Sequence, residues 1–328
     1  MRYIIYGAGG VGGVIGARLF QRGYETVLIC RGEHCATIQR QGLTFKTPNE
    51  TLQLRVRAVG HPAELKFTTN DVVILTMKSH DTEGALRDLE RAGASDVAIV
   101  CAQNGVDNER MAARHFARAY GMVVVLPATY LEPGVVLNHS TPIEGVLDAG
   151  CYTTGIDATI TQVAKDITAC GFSAKADANI MRWKYAKLLT NLQNALQAAC
   201  GLGMQEKTFA HAVREEALSC FKAAGIEAAP QEEFRRRMAE VTIKDIPGHP
   251  RTGGSTWQSL MRGLPTTEAD YLNGEIVLLG RLYGIPTPYN RVLQRLASEM
   301  ARTGQRPGSV TMEDLQRMVT ESEDRNGN

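Results

Sequence analysis

The chain has 328 residues, 44% of them hydrophobic and 22% charged, with a formal net charge of +1. At roughly 150 residues per domain this length predicts two domains, and the composition excludes a disordered chain. A near-neutral balance also excludes recruitment of nucleic acid or an anionic membrane by bulk charge.

No run of about 18 apolar residues occurs, so no membrane span is expected. Glycines at 7, 9, 10, 12 and 13 interrupt the apolar stretch after Arg2, which argues against a signal peptide. The seven cysteines are odd in number, dispersed and without a C-x-x-C pair. Such spacing fits reduced, mostly buried thiols in a cytoplasmic protein rather than a disulfide framework or zinc site. The histidines show no H-x-x-x-H or H-E-x-x-H spacing, so no metal is expected.

In chain order, continuous apolar runs of strand length fall at 3–6, 26–29, 72–75, 97–100 and 122–125. Runs without polar alternation are strands buried on both faces, as in a parallel sheet covered by helices. Helical patterns lie between them at 11–21, 82–91 and 108–117. This alternation predicts an α/β fold, a doubly wound Rossmann-type sheet, over residues 1–178. From 179 to 328 the pattern becomes all-α, with helices expected over 180–200, 208–224, 231–241, 267–283 and 289–302. The Pro/Gly-rich stretch from Ile246 to Gly254 reads as a loop. Arg235-Arg236-Arg237 reads as a solvated helix face, and the tail from about Glu321 as frayed.

Gly7-Ala8-Gly9-Gly10-Val11-Gly12 fits G-x-G-x-x-G, follows a buried strand and opens a helix. That context marks a dinucleotide-binding turn. The first glycine permits the turn, the second lets backbone approach a pyrophosphate, and the third lets helix and strand pack closely. The helix N-terminus offers unpaired N–H groups to phosphate. At the end of the second strand, Arg31 stands where a guanidinium could grip a 2′-phosphate, which favours NADP(H). Glu33, just beyond, is the alternative acid for an NAD ribose.

The segment Arg182–Leu196 carries Lys187, Asn191 and Asn194. At about 100° per residue these fall at roughly 0°, 40° and −20° on a helix, while Leu188, Leu189, Leu192 and Leu196 fall on another face. The stripe would point one amine and two amides together into a cleft, or would simply be the wet side of an amphipathic helix. Asn costs a helix about half a kcal/mol or more relative to Ala, so two of them call for another reason. A lysine so placed could serve as general acid to a carbonyl oxygen.

With these motifs the chain resembles the ketopantoate reductase family, NADPH-dependent enzymes that reduce 2-dehydropantoate. The resemblance spans nearly the whole chain. It rests on the glycine turn, Arg31, Met77-Lys78, Gln103-Asn104-Gly105, the Trp183-x-x-x-Lys187-x-x-x-Asn191 segment, and Gly254-Ser255-Thr256 followed by Thr267-Glu268-Ala269-Asp270-Tyr271-Leu272-Asn273-Gly274.

What the resemblance implies is a small keto acid substrate, NADP(H) as cofactor, and a homodimer through the helical domain. Lys187 would protonate the nascent alkoxide, and Glu268 would hydrogen-bond the substrate hydroxyl. Asn191, Ser255 and Thr256 would bind the substrate's polar groups. Asn104 would sit near the nicotinamide ribose, with Lys78 at the cleft edge. By residue type alone, Thr267-Glu268 reads as a helix start, where acids suit the dipole, and Gly-Ser-Thr as a loop.

Two departures from the family pattern bear on substrate. The second helix amide falls at Asn194, with Ala195 where the family commonly has asparagine. Gln258-Ser259-Leu260-Met261-Arg262 lacks an acid often found there. Two other activities fit the same motifs: an NAD(P)-dependent 3-hydroxyacid dehydrogenase, and an NADP(H)-sensing protein without turnover.

Overall fold

The computed structural model describes residues 1–202, 207–251 and 253–324. Two compact units emerge, one of Met1–Lys184 with Pro230–Arg251, the other of Tyr185–Ala229 with Thr252–Asn328. No helix among the described residues is long and apolar enough to cross a membrane.

The first unit alternates strand and helix. Its elements run β1 (Arg2–Tyr6), α1 (Gly10–Gln21), β2 (Glu25–Ile29), α2 (Gly32–Gln41), β3 (Leu43–Lys46), β4 (Thr51–Leu54), β5 (Arg57–Val59) and β6 (Asp71–Leu75). Then come α3 (Thr82–Arg91), β7 (Ala98–Cys101), α4 (Asn108–His115), β8 (Ala119–Met122), β9 (Ala128–Thr129), β10 (Val135–Asn138), β11 (Ser140–Pro142), β12 (Ala149–Cys151) and α5 (Ala158–Ala169).

Among the described residues a seven-stranded sheet has the order β12-β8-β7-β6-β1-β2-β5. All its pairs are parallel except β12 with β8. The chain runs outward from β1 to β5 and returns to β6 on the other side of β1. That reversal opens a crevice at the carboxyl ends of β1 and β6, where such folds bind ligands. Every residue of β6 is buried, and each fully buried aliphatic side chain contributes about 1.5–3 kcal/mol.

A second sheet, β4-β3-β10-β9, lies on the far side of α1 and was not anticipated. Its strands are too short, and β3 and β4 too alternating in burial, for a periodicity to declare itself. The glycines of α1 answer to both sheets. A β-carbon at Gly13 would meet Val136 at 2.6 Å, and one at Gly16 would meet Leu28 at 2.5 Å.

The strand expected at 122–125 begins earlier, at Ala119, because main-chain pairing carries it through Gly121 to β12. Helices α2 and α5 were also unread. Residues 230–251 fold onto the first unit through α9 (Gln231–Met238) and β13 (Val241–Ile243), which pairs with β11. Arg237 is not solvated as expected: its guanidinium bonds both carboxylate oxygens of Asp148 at 2.6 and 2.8 Å and is largely buried.

The second unit is helical. It takes the end of α6 (Ile180–Asn191), then α7 (Gln193–Cys200), α8 (Lys207–Ala224), α10 (Ser255–Met261), α11 (Asn273–Tyr283), α12 (Pro288–Thr303) and α13 (Met312–Asp324). Three expectations change here. The helix read over 180–200 is interrupted at Leu192. The one read from 267 is a 3₁₀ turn at Ala269–Tyr271 followed by α11, and Ser255-Thr256 opens a helix rather than a loop. The tail from Glu321 continues α13 to Asp324; residues 325–328 lie outside the described residues. The cysteines are free thiols, five buried and Cys151 and Cys200 partly so.

Candidate active site

The glycine turn leaves β1 with Gly7 at φ +102°, its N–H bonded to Ile29 O at 2.9 Å. Only glycine tolerates that φ at no steric cost. A β-carbon there would also meet Met77 N at 2.7 Å, and one at Gly12 would collide with Gly7 O and Thr76 Oγ1. Above Gly9, by contrast, a β-carbon would meet nothing nearer than Tyr130 at 4.0 Å. Helix α1 has no side-chain cap and no acid in its first turn. A tight turn, an open face and an uncapped helix N-terminus fit a dinucleotide's phosphates. Ala8 is buried, whereas Gly9, Gly10 and Val11 are partly exposed.

Beside the turn sits a residue that sequence reasoning missed. The Nε2 of buried His34 lies 2.7 Å from Ala8 O, and its Nδ1 accepts from Gly134 N at 2.8 Å. One nitrogen must donate and the other accept, which is the neutral imidazole. Burial lowers its pKa, opposed by the Ala8 bond. His34 thereby braces the turn that would hold the pyrophosphate. A histidine in G-E-H-C carries no spacing signal, so only the fold exposes it.

Arg31 projects from the end of β2, exposed, with Nη2 2.7 Å from Asp81 Oδ2. Glu33, the alternative acid for an NAD ribose, bonds within its own helix. Its Oε1 takes Thr37 Oγ1 at 3.1 Å and Arg40 Nη2 at 2.6 Å, and those bonds lower its pKa.

The loops after β6 and β7 are stitched together. Gln103 Nε2 donates to Met77 O at 3.0 Å and Thr82 Oγ1 at 2.7 Å. Asn108 Nδ2 donates to Ser79 Oγ at 3.1 Å and Asn104 O at 3.0 Å. Lys78, with a buried Nζ, precedes the 3₁₀ turn Ser79–Asp81.

Beneath these loops, Lys184 Nζ donates to Gln103 O at 3.0 Å and forms an ion pair with Glu109 at 2.5 Å, both side chains being almost wholly buried. Burial pushes the Glu109 carboxyl up, while Lys184 pulls it back. On the sequence alone Lys184 looked like any charge on a helix.

In the second unit, Lys187 is half-buried and its Nζ lies 3.4 Å from Thr190 Oγ1. Asn191, one turn on, is only 5% exposed, and its Oδ1 has no hydrogen-bond partner among the described residues. Burial on that scale disfavours the wet-face reading. At the helix break, the Leu192 carbonyl accepts from Asn273 Nδ2 at 3.1 Å. Asn273 also donates to Asn290 Oδ1 at 3.0 Å, and Asn290 Nδ2 donates to Glu216 at 2.7 Å. Glu216 caps α12 by accepting from Tyr289 N and Asn290 N, both at 2.9 Å.

Asn194 and Gln197 on α7 lie against Gly254, whose N–H donates to Gln197 Oε1 at 2.7 Å. This brings Asn194 beside the start of α10. There Ser255 Oγ is buried without a partner among the described residues, and Thr256 is buried. Glu268 is 4% exposed and precedes the 3₁₀ turn, five residues before Asn273. It thus stands at a helix start, as its residue type suggests, but is buried there.

The family model described as ketopantoate reductase PanE/ApbA matches residues 3–153, and that of its C-terminal part matches residues 179–301. The chain belongs to the ketopantoate reductase family. Its parallel α/β sheet and the helical region after it are the two parts of that family. As a member, the chain is an oxidoreductase with a Rossmann-like domain.

Among curated relatives, the 2-dehydropantoate 2-reductase of Pyrococcus horikoshii is 26% identical over 313 residues, 93% of this chain and 99% of its own. That of Archaeoglobus fulgidus is 28% identical, over 90% of this chain and 96% of its own. Among solved structures, a PanE/ApbA family ketopantoate reductase from Ralstonia eutropha is 29% identical with a TM-score of 0.78, covering 93% of this chain and all of the other. The fold is shared with D-mandelate dehydrogenase in a ternary structure with NADH and anilino(oxo)acetate. There the identity is 23% and the TM-score 0.79, over 93% of this chain and 99% of the other. In this ketopantoate reductase family member Ala195 is buried.

Proposed function

We propose that this protein reduces a small 2-keto acid, 2-dehydropantoate, to the 2-hydroxy acid with NADPH. The observation that carries the substrate reading is Asn191 Oδ1, buried and without a partner one turn from Lys187. A buried acceptor left unsatisfied costs about 1–3 kcal/mol, a cost that a substrate hydroxyl would relieve. 2-Dehydropantoate carries such a hydroxyl on C4, whereas an arylglyoxylate, the keto acid of mandelate, does not.

The first unit would hold the nucleotide at Gly7, Ala8, Gly9, Gly10, Val11 and Gly12, with Arg31 toward the 2′-phosphate, Asn104 toward the nicotinamide ribose, and Lys78 at the cleft edge, where nucleotide and substrate meet. Bound there, the nucleotide supplies the hydride. Lys187 would give a proton to the carbonyl oxygen as it becomes an alkoxide, and the neutral amine would regain its proton from water. Glu268 and Asn191 Oδ1 would accept from the substrate hydroxyl. The Ser255 and Thr256 hydroxyls and the Asn194 amide would hold the carboxylate. Orientation of this kind supplies much of an enzyme's rate.

The test is loss of nicotinamide absorbance with NADPH or NADH and a panel of keto acids. Turnover of 2-dehydropantoate with kcat/KM of about 10⁴ M⁻¹s⁻¹ or more, far above phenylglyoxylate, is the expected result. A preference for the aryl acid would overturn the substrate. Oxidation of a 3-hydroxy acid would put the protein among 3-hydroxyacid dehydrogenases, and nucleotide binding without turnover would make it a sensor.

A further inference from the structure

Arg31 follows β2 and Asp81 follows β6, and in the sheet β1 lies between those two strands: Tyr6 pairs with Ile29 on one side and Leu75 on the other. The 2.7 Å ion pair therefore reaches across the carboxyl end of β1, where the chain turns into Gly7. In a fold of this kind the adenosine ribose lies beyond the second strand, and its 2′ position is read by an acid for a hydroxyl or by a cation for a phosphate. Here both chemistries are present in one pair. Glu33, the other acid near the end of β2, has its carboxylate on Thr37 and Arg40 of its own helix and not on Arg31.

We propose that Asp81 sets the dinucleotide preference: its carboxylate, paired with Arg31, is the acceptor for a ribose 2′-hydroxyl and the like charge that opposes a 2′-phosphate. The inference rests on the nucleotide reading of the glycine turn and deepens it. Arg31 alone would make the site a dedicated NADPH site. With Asp81 on one edge of the guanidinium, a 2′-phosphate gains the remaining N–H donors of Arg31 but meets a negative charge beside it. NADH meets an acceptor for its hydroxyl instead. The site is thus built to take both nucleotides.

The experiment is titration of the full-length protein with NADPH and with NADH by fluorescence or calorimetry, for the wild type and for Asp81→Asn and Glu33→Gln. Asn keeps the size of Asp81, which makes no side-chain cap to α3, so folding is spared. Asp81→Asn should shift the ratio Kd(NADH)/Kd(NADPH) about five-fold toward NADPH, the scale of one partly exposed charge interaction. Glu33→Gln should leave the ratio unchanged. An unchanged ratio in Asp81→Asn, a shift toward NADH, or a shift in Glu33→Gln alone would overturn the assignment. Failure of the wild type to bind either nucleotide would instead overturn the nucleotide site itself.

Discussion

Asn273 donates its side-chain amide to the main-chain carbonyl of Leu192 at 3.1 Å, at the point where α6 ends and α7 begins. The bond ties the segment carrying Glu268 to the helix carrying Lys187 and Asn191. Both Asn273 and its partner Asn290 are buried, so Asn273→Ala would take from Asn290 Oδ1 its side-chain donor and from the Leu192 carbonyl the bond that crosses the helix break. Removing one partner of a buried hydrogen bond costs about 1–3 kcal/mol. Urea unfolding should show a lower midpoint at unchanged slope, and kcat should fall more than nucleotide affinity. Unchanged stability would mean that the break at Leu192 needs no brace.

Lys187→Ala removes the proton donor of the proposed reaction. Turnover should fall about 10²–10⁴-fold, the usual contribution of general acid catalysis, with NADPH affinity retained. Single-turnover kinetics with saturating nucleotide would measure it, and near-normal turnover would exclude Lys187 from that role.

Asn191→Leu replaces a buried acceptor without a partner by an apolar side chain of similar size. Stability should rise by about 1 kcal/mol, while kcat/KM for a hydroxylated keto acid falls, the usual trade between stability and a preorganised site. Thermal melting and steady-state kinetics on one preparation would read both. A less stable variant would show that the amide has a structural partner.

Glu109→Ala strands the Lys184 ammonium in the interior. Breaking one side of a buried pair costs about 3–5 kcal/mol, so the variant should melt far below the wild type. Glu109→Ala/Lys184→Met should recover much of the loss. If the single variant melts normally, the pair contributes nothing to the first unit.

His34 gives a pH dependence with a defined sign. Its folded pKa lies below the unfolded value of about 6.5, so between the two the unfolded chain binds more protons. The contribution to stability is therefore complete above about pH 6.5 and is lost as pH falls toward the folded value. Protonation would set a second N–H against the Gly134 N–H. The melting temperature of the wild type should drop more steeply from pH 7 to 5 than that of His34→Gln; parallel profiles would refute the neutral brace.

Much of the first unit was legible because its central strands are buried on both faces. Continuous apolar runs such as Val72–Leu75 have no competing reading once glycines and helical patterns flank them. Helix α3 fell where its pattern put it, at Thr82–Arg91. The four-stranded sheet over α1 was not legible, since four-residue strands such as β3 and β10 carry too short an alternation to stand out. Spacing brought Lys187 and Asn191 onto one helix, but could not tell that Asn191 is buried, nor that the helix breaks one residue later.

The sequence by itself determined what is local: the turn at Gly7–Gly12, the alternation of strand and helix, and the helix carrying Lys187. Each follows from backbone sterics or from a periodicity of two or about 3.6 residues, which neighbouring residues encode. The tertiary structure alone decided what depends on partners distant in sequence. It paired Arg31 with Asp81, set neutral His34 under Ala8, buried Lys184 on Glu109, and returned residues 230–251 to the first unit. These choices rest on charge and hydrogen-bond partners 26 to 100 residues apart, and no local pattern in a single sequence reports which of them will meet.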